Sequence, residues 1–319
     1  MLFLMIWVIL SQLIFTGILI ALDAADIVDI DVITASPWYM ICIQLIILLL
    51  PLFIWLSMKA DVLANNIPSK NLSAKNIILI IAISLFIQPA MMTLSGISSL
   101  FFTNHVSEMM YTFMEQPLWL IILATAVTPA VCEELVFRGY VQTKHSDRNI
   151  KQAAILNGLF FAIIHLSIQQ FAYAFVMGII FAYMVYYTRS IWAGILSHFV
   201  VNATQSIMGR WAFASTEATE RLIPSLSPEV EAVIIIGNFA LFLTPIVRIL
   251  FKKFFLYNKN QMSQETSDRL PVSSPEDPIN DTNETCKEPI ISNSPPMIDK
   301  YVIAIITIYI AFQALLIFA

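Results

Sequence analysis

Apolar runs of bilayer-spanning length recur along the chain and decide its class before any motif is weighed. A spanning helix needs about 20 apolar residues, and helix is favoured there because each backbone amide must be paired within its own segment. Nine such runs can be drawn, over residues 1–22, 38–58, 76–102, 118–140, 153–168, 171–187, 191–208, 230–255 and 301–319. Only 12% of the residues are charged, against about 25% in soluble domains. The expected fold class is therefore all-α, a polytopic membrane helix bundle of about eight or nine transmembrane helices. A net charge of -5 without a dense Lys/Arg cluster gives no sign of a nucleic-acid partner. Cys42, Cys132 and Cys286 are scattered and odd in number, so they outline neither a disulfide framework nor a thiolate metal site.

Loop charges orient the bundle, since Lys and Arg accumulate on the cytoplasmic side. Lys59, Lys70 and Lys75 follow the second run, Lys144, Arg148 and Lys151 the fourth, Arg189 the sixth, and Arg248, Lys252, Lys253 and Lys259 close the eighth. The opposite loops hold Asp23, Asp26, Asp29, Asp31, Glu108 and Glu115, with Arg210 and Arg221 as exceptions. This alternation places the N-terminus outside. The first run lacks a positive leading region and is read as a retained helix rather than a signal peptide. Residues 258–300 are rich in Ser, Pro, Asp, Glu and Asn and read as a disordered polar linker. The chain divides accordingly into N-terminal helices (1–117), a polar-motif core (118–208), a further helical region (209–257), the linker (258–300) and a C-terminal helix (301–319).

Ionisable residues at bilayer depth are costly and mark function by default. Glu133, Glu134 and Arg138 fall inside the fourth run. Glu134 and Arg138 are four residues apart, so on a helix they share a face and can pair. Glu133 points about 100° away and has no such local partner. It is the carboxylate left to exchange a proton. Asn157, Phe161 and His165 form one stripe of the fifth run, and His198, Asn202 and Gln205 form one of the seventh. Neither stripe belongs against lipid, and turning both toward Glu133 makes an intramembrane catalytic cavity. Counting about 1.5 Å per residue from the cytoplasmic ends puts Glu133 and His198 at similar depth and His165 deeper.

Glu133-Glu134-x-x-x-Arg138, Phe161-x-x-x-His165 and His198-x-x-x-Asn202, in that order on successive membrane segments, resemble the three motifs of the CPBP family. These are the CAAX proteases and bacteriocin-processing enzymes, including the type II CAAX prenyl endopeptidases or Ras-converting enzymes. The resemblance covers about 118–208 and implies a glutamate-dependent intramembrane endopeptidase acting on membrane-associated proteins or peptides. It implies that Glu133 and His165 activate water, that His198 and Asn202 stabilise the oxyanion, and that Glu134 and Arg138 support them, without a cofactor. The family's commonest setting suggests the plasma membrane.

Two other readings use the same residues. Glu133, His165 and His198 would supply a carboxylate and two imidazoles, a ligand set used by catalytic zinc. Buried Glu and His could also relay protons in a membrane transporter or coupled carrier. The scarcity of charges in the first three runs and the lack of an internal repeat weigh against transport.

Overall fold

The computed structural model describes residues 2–58, 67–113, 115–145, 148–214, 223, 225–268 and 300–318. Among them every regular element is helical. In chain order these are α1 (Leu2–Ala24), α2 (Ile30–Thr34), α3 (Pro37–Gln44), α4 (Leu50–Met58), α5 (Ala74–Phe86), α6 (Gln88–Ser99), α7 (His105–Phe113) and α8 (Leu118–Ile122). They continue as α9 (Thr128–Glu134), α10 (Gln142–Lys144), α11 (Ile150–Ile164), α12 (Ile168–Thr188), α13 (Ile191–Ala214), α14 (Pro228–Asp268) and α15 (Lys300–Phe318). π-Helical turns at Leu45–Leu49, Leu123–Val127 and Leu135–Val141 join α3 to α4, α8 to α9 and α9 to α10.

Among the described residues, 6 helical stretches are long and apolar enough to cross a membrane. They correspond to the first, second, third, fourth, sixth and eighth apolar runs. The fifth and ninth runs form shorter apolar helices, Ile150–Ile164 and Lys300–Ala314. The seventh run forms α13, which has the length but carries Ser197, His198, Asn202, Gln205 and Ser206. These polar residues lower its apolarity because much of the helix packs inside the bundle rather than against lipid.

Three boundaries differ from the sequence reading. The third run is two helices, with Ile87 as the junction before Pro89. α14 continues past Asn258, the expected start of the linker, to Asp268. Asn258 is buried and exchanges side-chain amide bonds with Asn76 at 3.0 and 2.9 Å, so polar composition there serves a helix–helix contact. Residues 269–299 of that linker lie outside the described residues. Third, α11 stops at Ile164, and His165 is its C-cap rather than an interior residue.

α11 and α12 form a tight hairpin at the centre of the fold. A Cβ on Gly178 would come within 2.7 Å of the Gly158 Cα, and one on Gly158 within 2.7 Å of the Phe175 carbonyl oxygen. Small residues allow this backbone approach between membrane helices. α11 has 15 residues, about 22 Å of rise, which is short of a hydrocarbon core of about 30 Å. The hairpin turn is closed by Leu166 at φ 49°, a left-handed conformation that costs a leucine about 1–2 kcal/mol.

Candidate active site

Glu134 and Arg138 are both fully buried. Arg138 Nη1 donates to Glu134 Oε1 at 2.8 Å, the pair that four-residue spacing predicts. Arg138 Nη2 donates to the Gly178 carbonyl at 3.0 Å. The guanidinium carbon also lies 4.6 Å from the centre of the Phe161 ring and 5.1 Å from that of Phe181, where the ring faces attract a cation. An ion pair is tolerated at this depth only when such partners replace its hydration.

His198 completes the pair. Its Nδ1 lies 3.1 Å from the same Glu134 Oε1, and its ring stacks on Phe181 at 5.2 Å with a 25° interplanar angle. With the carboxylate as acceptor, Nδ1 carries the hydrogen and Nε2 is left free. Gly194 lies one turn before His198 on α13 and makes room for the other carboxylate oxygen, since a Cβ there would fall 2.3 Å from Glu134 Oε2. Glu134 is thus committed to Arg138 and His198.

Its neighbour stands differently. Glu133 is part-buried, and its Oε2 is shielded from solvent with no hydrogen-bond partner. Its charge reaches Tyr173 on α12, whose hydroxyl donates to Gln170 Oε1 at 2.9 Å. The two adjacent glutamates therefore differ in what they hold: Glu134 meets Arg138 and His198 through Oε1, Glu133 meets neither, and both leave a buried Oε2 without a hydrogen-bond partner.

His165 sits in the α11–α12 turn. Its Nδ1 lies 2.7 Å from the Phe161 carbonyl oxygen. A carbonyl only accepts, so Nδ1 carries the hydrogen and Nε2 keeps its lone pair. The Phe161 ring stands between the two histidines, 5.0 Å from His165 and 5.8 Å from His198. The ring of Phe161 thus bridges the two histidines, while the helix count takes His165 as part of an unbroken segment.

Asn202 belongs to the same α13 stripe, and its Nδ2 donates to the Thr125 carbonyl at 3.0 Å. In an α-helix that carbonyl would be met by the amide of residue 129, but Pro129 has no N–H. The π-helical turn at Leu123–Val127 and the Asn202 bond are two responses to that gap. Thr125 Oγ1 also meets Ser206 Oγ at 2.7 Å. One of the two Asn202 amide hydrogens is spent here, and the other remains available. Asn157, from the other polar stripe, donates to the Phe137 carbonyl at 2.8 Å. Gln205 is exposed, so the buried polar edge of α13 runs through Ser206 instead.

The structure thus gathers Glu134, Arg138, His198 and Phe161 in direct contact, places His165 against Phe161, and leaves Glu133 beside them on the next face of α9. Among the described residues, no three His, Cys, Asp or Glu side chains are grouped to hold a metal ion. Gly178, Phe181 and Gly194 were missed from sequence. Gly194 could have been found, since it precedes His198 and Asn202 at four-residue intervals on one helical stripe.

Residues 115–204 match the model of the family described as Rce1-like, type II CAAX prenyl endopeptidase Rce1-like. No curated protein and no solved structure matches the chain significantly. The match contains all three motifs, so in this integral membrane protein the glutamate-bearing segment is similar to that of the Rce1-like type II CAAX prenyl endopeptidases.

Proposed function

We propose that this protein is an intramembrane endopeptidase that hydrolyses peptide bonds of membrane-associated proteins or peptides, with Glu133 as the general base. The observation that supports this reading is the inequality of the two glutamates: Glu134 is tied through Oε1 to Arg138 and His198, whereas the part-buried Glu133 is tied to neither. Glu133 takes a proton from water as the oxygen attacks the scissile carbonyl, with His165 Nε2 orienting that water; when the tetrahedral intermediate collapses the carbon–nitrogen bond breaks and Glu133 passes the proton to the leaving amine. The negative charge developing on the carbonyl oxygen is met by the second Asn202 amide hydrogen and by His198. Bonded to Glu134 through Nδ1, His198 donates from Nε2 only when both ring nitrogens carry hydrogen, the form this contribution requires. Such donors act most strongly where water is scarce. The reading needs no metal. Basic loops on one side support an N-terminus outside and a site reached from the cytoplasm or laterally from the bilayer, and the commonest setting of the similar family supports the plasma membrane.

The test is cleavage of an internally quenched farnesylated peptide ending in a CAAX sequence, together with a panel of unprenylated membrane peptides, by the full chain in proteoliposomes. Glu133→Gln and His165→Ala should each lower turnover about a thousand-fold, and Glu134→Gln less per folded molecule. Equal cleavage by the wild type and Glu133→Gln would remove the catalytic role of Glu133. Activity lost on chelation and restored by zinc would overturn the metal-free mechanism.

A further inference from the structure

The turn that carries His165 is gripped by a helix far away in sequence. Gln313 on α15 donates its side-chain amide to the Leu166 carbonyl at 2.8 Å. Gln313 is buried, as are Val302, Ile305 and Tyr309. These four fall at i, i+3, i+7 and i+11, one face of the helix. The Tyr309 ring stacks on Phe171 in the first turns of α12, with centroids 5.7 Å apart. The opposite face, with Ile303 and Ile310, is exposed toward lipid. α15 therefore docks on the hairpin through an apolar stripe that ends in a single amide placed on the peptide after His165.

That peptide needs a partner. Leu166 holds a left-handed conformation at φ 49°, unfavourable for a side chain with a Cβ and maintained only where the surroundings dictate it. On the far side of the turn, Gln169 donates to the Ser95 carbonyl at 3.3 Å and to the Ser95 and Ser99 hydroxyls at 2.9 and 3.0 Å. The turn is thus fixed from α6 through Gln169 and from α15 through Gln313. Its conformation decides whether His165 Nδ1 stays on the Phe161 carbonyl and, with it, where Nε2 points.

We propose that Gln313 is a positioning residue for His165: by holding the Leu166 carbonyl it keeps the turn in the form that presents Nε2 to the reacting water. The inference rests on the catalytic part given to His165 above. It extends the functional unit beyond residues 115–204, to the C-terminal helix.

Gln313→Met keeps length and apolarity while removing the donor. In the full chain, in detergent and in proteoliposomes, the variant should lower kcat on the farnesylated CAAX peptide about ten- to a hundred-fold with KM changed less than twofold. The ¹⁵N-histidine spectrum should show His165 leaving the Nδ1-protonated form it holds in the wild type. Adding Leu166→Gly, which makes the positive φ unstrained, should restore part of both. Ile310→Ala on the lipid face should change neither. An unaltered His165 resonance together with unaltered kcat in Gln313→Met would overturn the proposal. A displaced His165 resonance with normal cleavage would uphold the clamp and instead refute the catalytic part given to His165.

Discussion

The Leu118–Val141 stretch and the Pro228–Glu265 stretch are both apolar enough to cross a membrane, yet 67% of the best window in the first is buried inside the protein and only 6% in the second. The first carries Glu133, Glu134 and Arg138 and two π-helical turns; the second presents Phe239, Leu241 and Phe242 outward. Equal hydrophobicity thus hides opposite duties. In a bilayer no water drives apolar side chains together, so a helix is drawn inward by what lipid cannot satisfy. Around α9 that is an ion pair, a histidine and several backbone carbonyls.

If that account holds, substitutions should separate the two stretches by size of effect. Arg138→Met leaves Glu134 buried without its ion-pair partner and should cost about 3–5 kcal/mol; thermal unfolding in detergent measures it. The double variant Glu134→Gln/Arg138→Met should regain most of that loss, because removing both charges removes the desolvation problem. It should not regain full cleavage, since His198 then lacks its carboxylate. Restored activity would show that His198 needs no orientation by Glu134. Gly194→Ala should come next, costing about 1–3 kcal/mol because its Cβ has no room beside Glu134 Oε2.

Smaller changes sharpen the contrast. Ser84→Ala removes the 2.7 Å contact between Ser84 and Ser197 that joins α5 to α13, and should cost about 0.6 kcal/mol, the usual size of such bonds within membranes. Leu241→Ala on the lipid face should stay within about 0.5 kcal/mol of wild type. A penalty several times larger for Leu241→Ala would mean that α14 is covered by a partner rather than by lipid.

Much of this arrangement could be read in the sequence, for physical reasons that also explain the misses. The helices follow from apolar runs because the bilayer allows little else, and the Glu134–Arg138 pair follows from a spacing that needs only one helix. What depended on two helices was harder to see. The apolar fifth run extends past His165, and the break is marked only by Ser167-x-x-Gln170, a helix-start spacing in which Ser167 caps α12; the positive φ at Leu166 goes with bonds to distant helices, from Gln313 to its carbonyl and from Gln169 to Ser95 and Ser99. Residues 258–268 were read as linker because their composition is polar, whereas Asn258 is paired with Asn76 and Glu265 with Lys70 and Arg189. The resemblance offers Asn202 as an oxyanion donor, whereas its bond to the Thr125 carbonyl depends on the missing amide of Pro129, a residue on another helix.

The π-helical turn at Leu123–Val127 has a consequence for how the chain counts. Such a turn holds one residue more than the α-helix around it, and each residue advances the helix by about 100°. Removing that extra residue would leave the phase of the following helix nearly unchanged, whereas inserting one residue in the α-helical part upstream of Glu133 would bring Glu133 round to the direction in which Glu134 now points, toward Gly194 and His198, and would turn Glu134 away. Which of the two carboxylates faces Arg138 and His198 is therefore set upstream of both, by the phase in which the helix arrives, and a one-residue insertion there should break the Glu134 contacts while leaving every motif residue in place.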